Sequence, residues 1–459
     1  MAMGAERGQG KAYQIEMVCL DELVGEDDLY RRLDELVDWR FVREAAAPFY
    51  AGKVGRPSLD PIVLLKLMLA GALEGCGSMR ELLRLAALRF DLRRFLGYGL
   101  SERLPAHQTV SDAHTLRFAG SDLFERLFSR SVALCAEQGL IAGTHLSLDG
   151  FHAEADAALS SLRASLGTLP AEEGATLCGE IAPAAAPPAA AGDPAQLALE
   201  PAPPALSLAA ARSGRTPRRR SSNATAVSRS DPEARLRGKP GQRPHLVYRG
   251  QVAVDPRARV IVAVRGERAD GFEGAAVPEL LDRARFCVPG LESIAADRGY
   301  AAKVVWEEAA GRGLAAYVPP RRDQLPVSGA APATAAQALA LAARARCKSA
   351  AGIWAHGRRL ADAEGAIAEL KCRRGMERAR RRGRAAFHEQ LLIAAAACNL
   401  RRLARWRPEA ASGAAAQGAG QALALDALAA TCSLPALASA AFWRQPLQVY
   451  ATTVTLCLN

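Results

Sequence analysis

The chain has 459 residues, 50% of them hydrophobic, and a formal net charge of +11. That length predicts two or three domains with ample core, and the apolar share excludes a wholly disordered chain. Ten cysteines without a CxxC pair argue against a disulfide scaffold or structural zinc. Residues 1–11 show no apolar signal core, and the apolar run Leu391 to Leu400 is too short to span a bilayer. A cytoplasmic protein with reduced thiols and no membrane partner is therefore expected.

The positive charge is concentrated. Residues 212–249 carry eleven Lys/Arg against Asp231 and Glu233, and residues 371–405 carry eleven against Glu377 and Glu389. Everything else is net negative. This placement favours a polyanionic partner, although a basic linker and a solvated helix face give the same counts.

In chain order, residues 17–43 predict one or two amphipathic helices with Leu20, Leu23, Leu29, Leu33 and Leu36 as the apolar stripe. A flexible basic loop containing Lys53 and Arg56 follows. Asp60 as cap, Pro61 at the first helical position and Ile62, Leu65 and Leu69 at helical spacing predict a helix that stops at Gly75 and Gly77. Ser78-Met79-Arg80-Glu81 is a capping box for a helix to about Leu88. Residues 89–98 continue helical, Gln108 to Phe118 starts another helix, and Ser121 to Gln138 is a helix stopped by Gly139. Short helices with a tight glycine turn suit a helix-turn-helix-like module, as they do many other helical packing units.

Alternating apolar residues then lead into His145-Leu146-Ser147-Leu148-Asp149-Gly150, which reads as a strand ending on a carboxylate. Pro170 to Ala210 is Ala/Pro-rich and reads as a flexible insertion. His245 to Val254 and Arg259 to Gly266, joined by Asp255-Pro256-Arg257-Ala258, form a hairpin. Val277 to Phe286 is a helix, Ser293 to Ala296 a strand leading to Asp297, Ala302 to Gly311 a helix, and Leu314 to Val318 a strand. A loosely ordered Ala-rich stretch then reaches a long helix with Glu364 and Lys371, and residues 387–406 are helical. Residues 410–425 are Gly/Ala-rich, and the segment to Asn459 carries no motif. The pattern is α/β.

Strand-Asp149, strand-Asp297 and helix-Glu364 form the layout of a metal-dependent phosphodiester-cutting site. Two divalent ions about 3.5–4 Å apart can activate the nucleophile and stabilise the leaving oxygen, and Mg²⁺ favours carboxylates over imidazole or thiolate. Taken singly, Asp149-Gly150 also fits a turn, as does Asp297-Arg298-Gly299, and Glu364 also fits a solvated helix position. Lys371 lies seven residues after Glu364, nearly the same face about 10.5 Å along, where an ammonium can hold a neighbouring phosphate. Arg373, Arg374, Arg378, Arg380, Arg381, Arg382 and Arg384 follow as a run suited to a nucleic-acid backbone.

These phrases carry a resemblance. Gly55-Arg56-Pro57-Ser58-Leu59-Asp60-Pro61, Pro105-Ala106-His107-Gln108-Thr109, Leu148-Asp149-Gly150 with Glu154-Ala155-Asp156-Ala157, Ser228-Arg229-Ser230-Asp231-Pro232-Glu233-Ala234, Ala296-Asp297-Arg298-Gly299-Tyr300, Ala363-Glu364-Gly365 through Glu369-Leu370-Lys371, and Asn399-Leu400 resemble bacterial insertion-sequence transposases of the DDE class. The group is the broad one sharing the "four" and "five" families' catalytic pattern, here with a "five"-like N-terminal domain. The resemblance implies an RNase H-like catalytic domain with an all-helical N-terminal domain, two Mg²⁺ ions replaceable by Mn²⁺, and Asp149, Asp297 and Glu364 as catalytic ligands. It also implies double-stranded DNA partners (terminal inverted repeats and target), a homodimer, and a bacterial cytoplasm beside the nucleoid.

Arg359, Arg298, Tyr300, Lys53 and Arg56 join the basic run as expected DNA contacts. The expected domains are 1–140 (helical, DNA binding and dimerisation), 141–406 (catalytic, with a disordered insertion at about 165–225) and 407–459 (low-complexity tail). A DNA-binding remnant or a stand-alone nuclease of the same fold are the alternatives. The family's third block reads Tyr-x2-Arg-x3-Glu-x6-Lys. Here Glu364-x6-Lys371 holds, but Leu360 stands at the Arg place and Gly357 at the Tyr place, with Arg359 one residue off. Leu360 shares the face of Glu364, and Arg359 is turned away by about 100°. Leu360→Arg is therefore expected to raise the cutting rate; the competing expectation is that the local backbone shifts by one residue and Arg359 already fills the role.

Overall fold

The computed structural model describes residues 17–50, 58–164, 223, 226–238, 244–327 and 331–407. Lys53 and Arg56, the Ala/Pro-rich insertion and the C-terminal tail lie outside the described residues. The first half is helical: α1 (Leu29–Leu36), α2 (Arg40–Ala46), α3 (Pro61–Leu73), α4 (Met79–Leu88), α5 (Phe90–Leu96), α6 (His107–Ala113) and α7 (Leu123–Glu137).

Capping sets the helix starts. Asp60 accepts the Ile62 amide at 2.9 Å with Pro61 at the first position of α3. Ser78 accepts the Glu81 amide at 3.2 Å, and Glu81 reaches back to the Gly77 amide at 2.9 Å. Leu20 and Leu23 fall outside any helix, because the Asp28 side chain accepts the amides of Tyr30 and Arg31 and starts α1 only at Leu29. Gly75 ends the α3 turn with φ +67°, and a Cβ there would stand 2.8 Å from the Arg373 carbonyl. The α3–α4 turn thus rests on the end of a helix three hundred residues later.

The remaining elements are β1 (His145–Glu154), β2 (Leu162–Ala164), β3 (Ala226–Ser228), β4 (Arg235–Arg237), β5 (His245–Asp255), β6 (Val260–Arg268), α8 (Val277–Cys287), β7 (Ser293–Ala295), α9 (Lys303–Gly311), β8 (Ala315–Tyr317), α10 (Ala335–Lys348), α11 (Ala350–Arg374) and α12 (Arg384–Arg405). β1 is the centre of the main sheet. It pairs antiparallel with β5 (Asp149 opposite Val252) and parallel with β7 (Ser147 opposite Ala295), and β7 pairs parallel with β8. β4 and β6 share the far edge of β5, and β2 and β3 form a separate ribbon. Every residue of β5 from Leu246 to Asp255 is buried, as expected of a strand covered on both faces.

The architecture is therefore a mixed helix and sheet with an N-terminal helical region. α12 ties the two parts together, packing on α3, α7 and β6 with residues 391–400 buried. Its side chains also close the open edge of β6. Asn399 accepts the Ile261 amide at 2.9 Å and donates to the Ile261 carbonyl at 2.8 Å, while His388 Nδ1 accepts the Gly266 amide at 3.0 Å. Eleven residues of helix and five of strand each span about 17 Å, so the two contacts keep step. Gly266 permits the approach, since a Cβ there would meet the His388 Cα at 2.8 Å. Replacing Asn399 by Leu strands two buried backbone groups of Ile261. We expect a loss of about 2–6 kcal/mol, at roughly 1–3 kcal/mol per unpaired group, measured by denaturant unfolding.

Candidate active site

The long helix α11 runs along β1. Its sheet-facing stripe is Gly352, Ala355, Arg359, Ala363, Ala366, Leu370 and Arg374, spaced by three or four residues. Arg359 is the one polar member in the middle of it. Its Nη1 donates to Asp149 Oδ2 at 2.6 Å, and its Nη2 stands 3.5 Å from Glu364 Oε1. Arg359 and Asp149 are 13% and 14% exposed, whereas Glu364 is 54% exposed at the helix edge. Leu360 shares that edge and is half exposed.

The arginine facing the carboxylates is thus Arg359, and the expectation built on position 360 is corrected. The reason is the phase of the buried stripe: the motif face at 360 and 364 borders solvent, and the residue before Leu360 lies under the helix.

Asp149 is also not at a strand tip. β1 continues five residues beyond it, so Asp149-Gly150 is no turn but the middle of the central strand. Its carboxyl is pushed up to about 6, chiefly by burial; the Gly150 amide and Arg359 oppose this, while Asp297 and Glu364 add to it. Asp297 follows β7, accepts the Gly299 amide at 2.7 Å and opens the short turn Arg298–Tyr300.

Tyr300 is 1% exposed, with its hydroxyl donating to Gln251 Oε1 at 2.9 Å. It cannot meet DNA; it supports the floor of the site. A Cβ on Gly150 would lie 3.2 Å from that hydroxyl, so the glycine after Asp149 admits the tyrosine.

Behind Tyr300 is a polar network that sequence reasoning missed. Gln251 donates to Glu267 Oε1 at 2.6 Å and to the Glu273 carbonyl at 2.9 Å. Arg249, 1% exposed, donates to Glu267 and to the carbonyls of Ala269 and Gly271. The available signal was two polar residues, 249 and 251, on one face of an otherwise apolar strand.

The basic run divides. Arg374 is 2% exposed and donates to the Leu73 carbonyl at 2.6 Å and Glu369 at 2.8 Å, so it is a packing residue and not a DNA contact. Arg378 and Arg382 pair with Asp156, Arg381 with Glu389 and Arg384 with Glu233. The Arg380 amide donates to Gln390. Lys371, Arg373 and Arg298 have no carboxylate in ion-pair range among the described residues.

His145 anchors the start of β1. It is 1% exposed, with Nδ1 2.8 Å from Ser293 Oγ and its ring 5.1 Å from that of Trp354. Burial, with a smaller effect from Arg358, holds it down to about 4. A histidine depressed below 6.5 contributes stability that is full above pH 6.5 and lost as pH falls towards 4. Asp149 has the opposite sign, losing stability as pH rises through about 6. His145→Asn should therefore flatten the acid-side fall of the thermal midpoint between pH 6.5 and 4.

Among the described residues no three His, Cys, Asp or Glu side chains form a ready metal-holding cluster. No helix there is long and apolar enough to cross a membrane.

The helical region and the helix bearing Glu364 both match transposase families. Residues 18–115, covering α1 to α6, match the Transposase domain (DUF772), and residues 330–404, covering α10, α11 and most of α12, match the Transposase DDE domain. The two matches support an insertion-sequence DDE transposase. No curated protein and no solved structure matches it.

Proposed function

We propose that this transposase binds the terminal inverted repeats of its element and cuts and joins DNA at Asp149, Asp297 and Glu364. One observation carries the reading: Arg359 joins Asp149 of β1, at 2.6 Å, to Glu364 of α11, at 3.5 Å, and Asp297 from the turn after β7 is near enough to help push the Asp149 carboxyl up. The strand order β6-β5-β1-β7-β8, three antiparallel and then two parallel, supports an RNase H-like domain over 141–406. In this reading the helices before 140 bind DNA and build the homodimer.

The donor set is all oxygen, and Asp149 is a largely buried carboxylate with two like charges nearby. That chemistry fits Mg²⁺, or Mn²⁺, held by Asp149, Asp297 and Glu364. When bound, the two cations supply activation of the attacking oxygen and charge stabilisation of the departing one. The protein's own contribution is placement. Asp149 is fixed by the central strand, and Glu364 at the helix edge can adjust.

Arg359 holds Asp149 Oδ2 and must give it up for a cation, which frees a guanidinium for a phosphate. Lys371, two turns beyond Glu364 on the same flank of α11, and Arg298 are the cations without a carboxylate partner among the described residues that then meet the backbone.

The test is purified protein with Mg²⁺ and a labelled element end. Nicking at the end and joining to a second duplex are expected. End binding without nicking would reduce the protein to a DNA-binding remnant, and nicking without joining would make it a nuclease. Binding should weaken steeply with salt. Lys371→Ala should flatten the slope by about 0.9, as one phosphate contact requires.

A further inference from the structure

A cavity of about 520 Å³ opens beside α11, lined by Arg257 and Arg259 of the β5–β6 turn, Arg358, Asp362 and Glu369 of α11, and Arg402 of α12. Its carboxylates already face arginines, with Asp362 Oδ2 ion-paired though making no hydrogen bond. Asp362 is 2% exposed and 2.9 Å from Arg358 Nε; Glu369 holds Arg402 at 2.7 Å and Arg374 at 2.8 Å. Arg257 and Arg259 are exposed, with no carboxylate in ion-pair range among the described residues. Arg402 Nη1 is buried without a hydrogen-bond partner. The cavity therefore has cationic donors to spare.

Two backbone features point the same way. Arg259 has φ +55°, alone among the described non-glycine residues in the left-handed region, where a Cβ is disfavoured. A fold that needed only a turn would place glycine or asparagine there. In addition, a Cβ on Gly365 would stand 3.0 Å from Arg259 Nη1, so α11 lacks a side chain where this guanidinium lies. Strain is accepted and room is made for one cation at the cavity wall.

The cavity is separate from the carboxylate site. At 100° per residue, Arg358, Asp362 and Gly365 fall on one flank of α11 and Leu360, Glu364 and Lys371 on the other, with the sheet-facing stripe between them. A helix with its side chains is about 10 Å across. A backbone lying along Glu364 and Lys371 therefore does not reach the cavity without rounding the helix.

We infer that this cavity is a second phosphate-binding site, which holds the backbone of a DNA segment other than the one at the carboxylates. Guanidinium groups with unsatisfied donors are matched to phosphodiester oxygens, singly or in bidentate pairs. The inference rests on the reading of the protein as a DNA transposase.

The test compares wild type with the double variant Arg257→Ala/Arg259→Gly. Binding of a labelled duplex without element ends is followed by fluorescence anisotropy over a salt series. Glycine at 259 relieves the left-handed backbone, so the variant should melt no lower than wild type. Its duplex affinity should fall several-fold at low salt. The slope of log affinity against log salt should shrink by about 1.8, the share of two phosphate contacts. Nicking of a saturating element end should remain, because the carboxylate site is untouched.

Equal affinity and slope in both proteins would overturn the inference while leaving the transposase reading standing. A wild type that binds no duplex would defeat that reading itself. Inorganic pyrophosphate is the second probe. If it raises the midpoint of wild type but not of the variant while duplex binding is the same in both, the cavity takes a free anion and the DNA assignment is overturned.

Discussion

Asp149→Ala is expected to lower DNA cutting by at least about 10²–10³-fold, the scale of losing one preorganised charge-stabilising group, with end binding nearly unchanged. Asp297→Ala and Glu364→Ala should do the same. The expectation follows from where these groups stand. Asp149 is only 14% exposed in the middle of the central strand and its Oδ2 is held by Arg359, so its removal should touch chemistry and not the groove.

Stability gives an independent check. Burial pushes the Asp149 carboxyl up to about 6, so its charged form costs the fold stability as pH rises towards and through that value, and Asp149→Asn should remove this part of the pH dependence of the melting midpoint. A cleavage assay and a melting curve on the same preparation decide the matter. An Asp297→Ala protein that cuts at the wild-type rate would remove that residue from the site.

Much of the frame was legible because local chemistry specifies it. Asp60-Pro61 and Ser78 with Glu81 announce helix starts whatever the tertiary context, and they fall where expected. The hairpin around Asp255-Pro256-Arg257-Ala258 was legible from alternation and turn residues. What failed to show were properties of pairing and phase. Asp149-Gly150 reads locally as a turn, and only its partners Val252 and Gln251 on β5 hold it extended.

The stretch before α11 is Ala-rich and looked loosely ordered, since alanine gives little hydrophobic contrast. Thr334 nevertheless caps α10 there by accepting the Gln337 amide at 3.2 Å. Several arginines after Lys371 looked free because their partners are remote in the chain. Asp156, which takes Arg378 and Arg382, lies more than two hundred residues earlier.

Arg359→Ala is expected to have the second large effect, and it separates two ways of locating the arginine. By motif spacing the important position is 360; by the buried stripe it is 359. Removing Arg359 leaves Asp149 14% exposed with no cation beside it. Breaking such a buried pair from one side costs about 3–5 kcal/mol.

The cost depends on pH in a predictable direction. Arg359 is among the influences that lower the Asp149 carboxyl, so without it the group is held still further above its ordinary range and escapes the penalty by protonating. The melting midpoint should therefore drop strongly at pH 8 and little at pH 5. Mg²⁺ should restore more of it in the variant than it adds to wild type, because in wild type the ion must compete with the guanidinium for Asp149 Oδ2.

Leu360→Arg adds a cation at a half-exposed edge, away from Asp149, and should change neither the midpoint nor its Mg²⁺ response. A Leu360→Arg protein that cuts faster, beside an Arg359→Ala protein with normal melting and normal cutting, would return the role to position 360.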